Sequence, residues 1–429
     1  MTKKKPAPGN FGEIWYKNCV CRGWAEMIAN NCGKAVTTAA VAARNQTVTA
    51  RLPLRLRAFP SRAWISALFP LFLVSCSHAE RLDLTRLKLP PGFHIAVFAD
   101  APHARQMAFS PGGVLLVTDM SDGTVLALPD PKHTGRAEPT VPVLSGLNAP
   151  HGIAFHNGKL YVAEINAVRR YDWDEAQLRA GNGQKIAGLP GSGGGHSTRT
   201  ILFANGKMYV AVGSSCNVCK EDDKRRAAVT EYNEDGSGER IFASGLRNAV
   251  GLTVNPKTDT VWDTDNGRDW LGDDLPPEEV NDLGPKGGNF GWPYCYGDRI
   301  PDRSQSKDYD CSQTVAPKVL MQAHSAPLGL LFYDGNMFPA EYRGSLFVTF
   351  HGSWNRSVPT GYKVVRIKFN DKGEAQGPPE DFISGWIRPN ETKKGVWMGR
   401  PVGLVVGPDG AMYVSDDSAG VVYRVTWQK

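Results

Sequence analysis

The chain has 429 residues, 41% of them hydrophobic and 21% charged, with 46 Gly and 30 Pro. That length supplies a large buried core, while the 10% aromatic content and the scattered Gly and Pro exclude a disordered, collagen-like or low-complexity chain. The formal charge is +6, but residues 1–75 hold eleven of the 49 Lys/Arg and only two of the 43 Asp/Glu; the remainder is near neutral, so a nucleic-acid-binding function loses its support.

Arg51, Arg55, Arg57 and Arg62 precede an apolar run from Ala63 through Val74 (AWISALFPLFLV). A charged flank followed by about a dozen apolar residues has the layout of a secretory signal; a membrane-spanning helix needs roughly 20. Leu73-Val74-Ser75-Cys76 resembles a bacterial lipobox, in which Cys76 would be lipidated, and Ser77-His78-Ala79 offers an ordinary cleavage site. Residues 51–79 are therefore read as a cleaved export leader. The mature protein is expected in the periplasm, free or lipid-anchored at Cys76. Residues 1–50, with Cys19, Cys21 and Cys32, lie upstream of the leader and are read as an extension ahead of the true start.

From residue 85 onward no segment holds a helical period. A short apolar run, a turn with Gly and a second alternating run recur at 107–119 (MAFSPGGVLLVTD), 152–164 (GIAFHNGKLYVAE), 200–213, 251–265, 329–349 and 403–416. Asn-Gly and Asp-Gly between alternating runs are strong hairpin signals. Six hairpin units, 46 to 78 residues apart, predict an all-β chain over 85–429: a six-bladed β-propeller. The two long intervals predict insertions at about 266–325 and 352–399. Pairing FHIAVFAD (93–100) with VVYRVTW (421–427) would close the ring. A stacked sandwich is the competing architecture.

Four clusters carry the chemistry. Gly191 to Arg199 (GSGGGHSTR) is a glycine run ending at His196, which lets the backbone approach a ligand and leaves an imidazole as general base. Arg247-Asn248 supplies a fixed cation beside an amide, suited to carboxylate or quinone oxygens. The acidic stretch from Asp265 and Asn266 through Gly267, Arg268 and Asp269 to Glu278-Glu279 offers oxygens to a hard cation such as calcium, without EF-hand spacing. The fourth cluster comprises His324, the segment His351 to Arg356 (HGSWNR) and Arg400.

The segments GLRNAVGL, DNGRDWLGDDLPPEEVN, GGNFGWPYCYG, HSAPLGL, FHGSWNR and GRPVGL, in that order, resemble the glucose/sorbosone dehydrogenase family, and its L-sorbosone dehydrogenase-like branch in particular. The resemblance runs from about Leu89 to Trp427. It implies an exported six-bladed propeller that oxidises an aldose or a sorbosone-like sugar aldehyde with pyrroloquinoline quinone (PQQ) and calcium. It further implies that His196 takes the hydroxyl proton while hydride passes to the C5 carbonyl of PQQ. Arg247 would stabilise developing charge. Arg247, Asn248, Asn266, His324, Asn355, Arg356 and Arg400 would hold PQQ, and the carbonyls of Gly267 and Arg268 would hold calcium. Electrons would leave to a separate periplasmic or membrane acceptor, because the chain has no haem domain of its own.

Three positions depart from the glucose-oxidising members. Ser214 stands for an acidic residue that orients the histidine, Arg268 for a Pro beside the metal, and Asn355 for a Lys. Cys216-Asn217-Val218-Cys219 lacks the His of a haem-attachment site, and zinc would need Cys295 and Cys311 as further ligands. In an oxidising compartment two short-loop disulfides, Cys216–Cys219 and Cys295–Cys311, are the expectation. Trp262, Trp292 and Trp354 are candidates either for sugar stacking or for packing between blades. The competing functions are a metal-dependent sugar lactonase, which needs a central carboxylate cage, and a non-catalytic carbohydrate-binding propeller.

Overall fold

The computed structural model describes residues 82–191, 194–305 and 308–429. The extension over 1–50, the leader over 51–79 and Cys76 lie outside the described residues.

Six antiparallel sheets are arranged as a propeller. Blade 1 comprises Ala104–Phe109, Leu115–Asp119, Thr124–Leu128 and Val141–Leu144; blade 2 comprises Gly152–His156, Lys159–Glu164, Ala167–Asp174 and Arg179–Gly188. Blade 3 comprises Arg199–Ala204, Lys207–Val212, Ala228–Asn233 and Arg240–Ser244, to which Gly288–Asn289 adds a short parallel strand. Blade 4 comprises Ala249–Asn255, Thr260–Asp265, Glu278–Asp282 and Val319–Met321, and blade 5 Pro327–Phe332, Leu346–Phe350, Lys363–Phe369 and Ala375–Ile383. Blade 6 takes Pro401–Val406, Met412–Asp416 and Val421–Trp427 from the end of the chain and Phe93–Asp100 from its beginning. Phe93 pairs with Trp427 and Asp100 with Val421, so the expected closure of the ring is present. Both long intervals contain the outer two strands of their own blades. The inserted material is therefore smaller than the spacing suggested: the loops 266–277, 351–362 and 384–400, and the segment 283–318 with its small Cys295–Tyr296/Ile300–Pro301 hairpin.

The first strand of each blade faces the axis, and six side chains tie these inner strands into a circle. Thr118 Oγ1 donates to the His151 carbonyl (2.8 Å), and His151 Nδ1 bonds the Arg199 carbonyl (3.3 Å). Thr200 Oγ1 donates to Val250, Thr264 Oγ1 to Leu328 (2.7 Å), Thr349 Oγ1 to Val402 (2.6 Å), and Ser415 Oγ closes the ring on Arg105 (2.5 Å). The same hydroxyls explain a local irregularity. In blades 1, 4, 5 and 6 the first strand bulges away from the second. There an N–H that leaves the ladder is taken by the hydroxyl, as from Gln106 to Thr118, Gly251 to Thr264, Gly329 to Thr349 and Gly403 to Ser415. Blades 2 and 3 carry Ala163 and Ala211 at that place and pair without a bulge. Close approach also fixes the glycine that opens four of the repeats: a Cβ at Gly251 or Gly329 would stand 2.3 or 2.5 Å from a carbonyl oxygen of the next inner strand. Apolar residues between neighbouring blades form the core, as where Trp262 packs edge-on against Phe332 and Phe369.

Candidate active site

First strands begin, and second strands end, at the same end of the propeller, and the loops there surround a cavity of about 230 Å³. Its wall includes His196, Arg247, Asn248, Asn266, Gly267, His324, Asn355 and Arg400, which the sequence had placed in four separate clusters. Arg356 and Arg268 do not line it. Arg356 Nη2 pairs with Asp274 (3.0 Å) and Nη1 donates to the Asp273 carbonyl, so its charge ties two loops together instead of facing a ligand. The Arg268 side chain turns to Asp302 and Ser304.

His196 is held by its backbone and by one ring nitrogen. Its N–H donates to the Ser214 carbonyl (2.9 Å), and Nδ1 lies 3.0 Å from the same carbonyl oxygen and 3.1 Å from Ser214 Oγ. Ser214 Oγ spends its own proton on the Cys216 carbonyl (2.6 Å). Both acceptors near Nδ1 therefore require Nδ1–H, which leaves the lone pair on Nε2. Ser214 thus orients the ring through its carbonyl and hydroxyl oxygens. Burial, and then the positive charge of Arg247, push the imidazolium pKa down to about 3, so the ring is neutral across the physiological range.

Two buried arginines shape the loop that carries His196. Arg199 donates to the carbonyls of Ile165, Pro190, His196 and Thr198, and Arg226 to those of Gly191 and Gly213. Gly213 is squeezed between ligand-facing groups: a Cβ there would meet Asn248 Oδ1 at 2.5 Å and His196 Cβ at 2.6 Å.

The end of a second strand sets the backbone of the Arg-Asn pair. Asp265 accepts from the N–H of Arg247 (2.9 Å) and of Asn248 (2.6 Å); Asp416 does the same for Arg400 in blade 6 (2.7 Å). All five guanidinium protons of Arg247 have protein acceptors: the carbonyls of Asn217, Asn266 and Gly267, Asn217 Oδ1, and Asp269 Oδ2. The loop oxygens thus take every donor of this side chain, and Arg247 stands in the cavity wall as a fixed charge. Asn266 Nδ2 bridges to the Pro327 carbonyl (2.7 Å), His324 Nε2 bonds the Gly272 carbonyl (2.8 Å), and Asn355 Nδ2 donates to Asp269 Oδ1 (2.9 Å). Arg400 donates to the carbonyls of His351 (3.0 Å) and Gly352 (2.6 Å) and lies over the Trp397 ring.

Sequence reasoning missed Arg105 and Asn217, and named His351 only within its motif. Arg105 and His351 line the cavity and converge on Asp417, at 2.6 and 2.9 Å. A polar residue recurs at or just ahead of five of the six inner strands (Arg105, His151, Arg199, Asn248, Arg400), and that recurrence is the signal that could have found Arg105. Asn217 sits inside the CxxC loop and bonds both Arg247 and Asp269, a role with no sequence signal. Both expected disulfides, Cys216–Cys219 and Cys295–Cys311, are formed, which removes the zinc alternative for these four cysteines. Of the tryptophans, Trp262 is packing, Trp292 Nε1 bonds the Asn217 carbonyl (3.3 Å), and Trp354 is exposed at the cavity mouth.

The wall has the features of an anion site. Arg400 meets only carbonyl oxygens in the bonds described, and Thr198 Oγ1 and Arg105 Nε are buried donors without a hydrogen-bond partner, as Asn248 Oδ1 is a buried acceptor without one. Such atoms are costly unless a ligand or water meets them.

Over 84% of its length the chain is 29% identical to an uncharacterized protein of Borreliella burgdorferi, covering 96% of that protein. It is 26% identical, over 82% of its length, to a pyrroloquinoline quinone-dependent pyranose dehydrogenase of Coprinopsis cinerea, and spans 56% of that longer protein. The Trichoderma reesei carbohydrate-active enzyme of family AA12, in its iodide structure, has the same fold: TM-score 0.71 at 23% identity, covering 80% of this chain and 98% of that one. The TrAA12-like family matches residues 87–428, and the chain belongs to that family.

Proposed function

We propose that this protein is a PQQ-dependent dehydrogenase of an aldose or a related sugar aldehyde. The observation that carries the reading is a neutral, half-buried imidazole whose Nε2 lone pair is left for a proton, in the wall of a cavity lined by guanidinium groups. The name of the Coprinopsis relative supports the cofactor.

PQQ, when bound, supplies the two-electron sink and three carboxylates. The unpartnered donors of Thr198 and Arg105, with Arg400 and His351 beside them, fit a polyanion of that kind. Arg247 holds the potential positive without giving up a proton, and His196 Nε2 takes the proton of the sugar hydroxyl as its carbon is oxidised. Calcium belongs to the same proposal. Of the two carbonyls named for it, that of Gly267 lies in the cavity wall and would hold it beside its bond from Arg247 (2.8 Å), whereas Arg268 does not line the cavity. Export to the periplasm, a lipid at Cys76 and delivery of electrons to a separate acceptor complete the reading. A lactonase would need free carboxylates around a metal; of those lining the cavity, Asp269 is engaged by Arg247 and Asn355, and Glu278 by two backbone N–H groups.

The test is titration of the purified protein with PQQ and calcium, followed by dye-coupled turnover on a panel of aldoses. We expect PQQ to bind, His196→Ala to abolish turnover while binding persists, and Arg400→Ala to weaken PQQ binding by about 10- to 100-fold, the value of one charged hydrogen-bonding partner. Absence of PQQ binding to the wild-type protein would overturn the reading.

A further inference from the structure

The two most exposed large apolar side chains among the described residues stand together at the cavity mouth. Trp270 is 68% and Trp354 55% exposed, with ring centroids 5.2 Å apart and planes at 86°. Trp354 lines the cavity with Asn355 and Asp269, and Trp270 follows Asp269 in the chain. Leaving two indoles in water forgoes the free energy that Trp262 and Trp386 gain by burial.

The pair is held there by polar contacts beneath it. Asn355 Nδ2 donates to Asp269 Oδ1 (2.9 Å), Arg356 bonds Asp273 and Asp274, the Ser357 N–H donates to Asp273 Oδ1 (3.0 Å), and Lys394 Nζ donates to the Trp354 carbonyl (3.1 Å). None of these bonds uses an indole ring, so the two loops are laced together with the rings left facing outward. Trp270 also has φ 72°, a left-handed conformation that a bulky residue adopts only where its surroundings impose it.

An indole corner beside an amide and a carboxylate is chemically complementary to a pyranose ring. The C–H face of such a ring is apolar and rests on an aromatic face, while its hydroxyls need planar donors and acceptors at the edge. Asp269 and Asn355 supply these at the inner end, between the corner and the cavity.

We propose that Trp270 and Trp354 form a sugar-stacking corner that receives a pyranose ring at the cavity mouth, with Asp269 and Asn355 as its hydroxyl partners. The consequence for catalysis rests on the dehydrogenase reading; the binding itself does not. Calorimetric titration of the full chain with methyl β-D-glucopyranoside and with cellobiose, and with sorbitol as an open-chain control, tests it. The cyclic sugars should bind and sorbitol should not. Trp270→Ala and Trp354→Ala should each weaken binding about tenfold, with Trp354→Tyr recovering most of the loss. A parallel PQQ titration separates the two readings. Trp-dependent glycoside binding in a protein that does not take PQQ would keep the corner and remove the dehydrogenase. Equal glycoside affinity in the wild type and the double Ala variant, or no glycoside binding by the wild type, would overturn the corner even where PQQ binds.

Discussion

His196 owes its protonation state to atoms in other loops: the Ser214 oxygens fix its tautomer, and Arg247 together with burial keeps it neutral. Ser214 is therefore the residue through which its basicity can be tuned. In Ser214→Ala the backbone carbonyl still accepts from Nδ1–H, so the ring keeps its orientation, and we expect its pKa to stay near 3. Ser214→Asp brings a carboxylate to Nδ1, and an opposite charge at that range raises an imidazolium pKa by roughly 1–3 units. NMR titration of ¹³C-labelled histidine should show that rise for Ser214→Asp only. A His196 resonance titrating at the same pH in both variants would mean that Ser214 does not govern the base. Asn217 is the matching case for Arg247: its carbonyl and Oδ1 accept two of the five guanidinium protons, and the Cys216–Cys219 bridge closes the loop that presents them.

Among the elements, the bulged inner hairpins make one hydroxyl do two jobs. Thr349 Oγ1 accepts from the Gly329 N–H (2.9 Å) and donates to the Val402 carbonyl (2.6 Å), joining blades 5 and 6 where both are fully buried. Thr349→Val keeps the shape and strands a buried donor and a buried acceptor, each costing about 1–3 kcal/mol. Chemical denaturation should therefore show a loss of about 2–6 kcal/mol, and a loss below 1 kcal/mol would show that water replaces the hydroxyl. The repeating Gly-apolar hairpins were legible in the sequence because alternation and Asn-Gly or Asp-Gly turns are local signals. The bulges were not, because they depend on a hydroxyl in the next strand and a carbonyl in the next blade. The cavity was legible to the same degree. His196, Arg247, Asn248, His351 and Arg400 announce themselves by glycines or paired polar types, whereas Arg105 and Asn217 gain their places from strands or loops far away in the chain. Arg356 carried the right charge in the right motif, but Asp274 and the Asp273 carbonyl draw it out of the cavity.

For the whole molecule, burial of titratable groups inside the blades sets the response to pH. Burial pushes Asp265 and Asp416 up to about 7, and Glu278 and Glu279 up to about 8. These groups keep their protons in the folded chain until the pH approaches 7 to 8, and ionise near 3.8 or 4.5 when unfolded. Their contribution to stability is complete below pH 4 and is lost as pH rises through 7–8. Burial acts in the opposite sense on the histidines, lowering His196 to about 3, His351 to about 4, and His151 well below its ordinary value. Their contribution is complete above pH 6.5 and is lost as pH falls toward 4 and 3. Between about pH 4.5 and 6.5 the two trends oppose one another, so the thermal midpoint should be nearly flat there and fall on both sides. Calorimetry from pH 3 to 9 in the presence of a chelator, which leaves the carboxyls without a cation, checks this. Asp416→Asn provides the internal control. It keeps the oxygen that accepts from the Arg400, Ser418 and Ala419 N–H groups but cannot ionise, so the alkaline fall should become shallower while the acid fall is unchanged. A midpoint that climbs steadily to pH 9, or an Asp416→Asn profile that parallels the wild type, would show that these carboxyls ionise inside the fold at no cost, and that the blades are wetter than their packing implies.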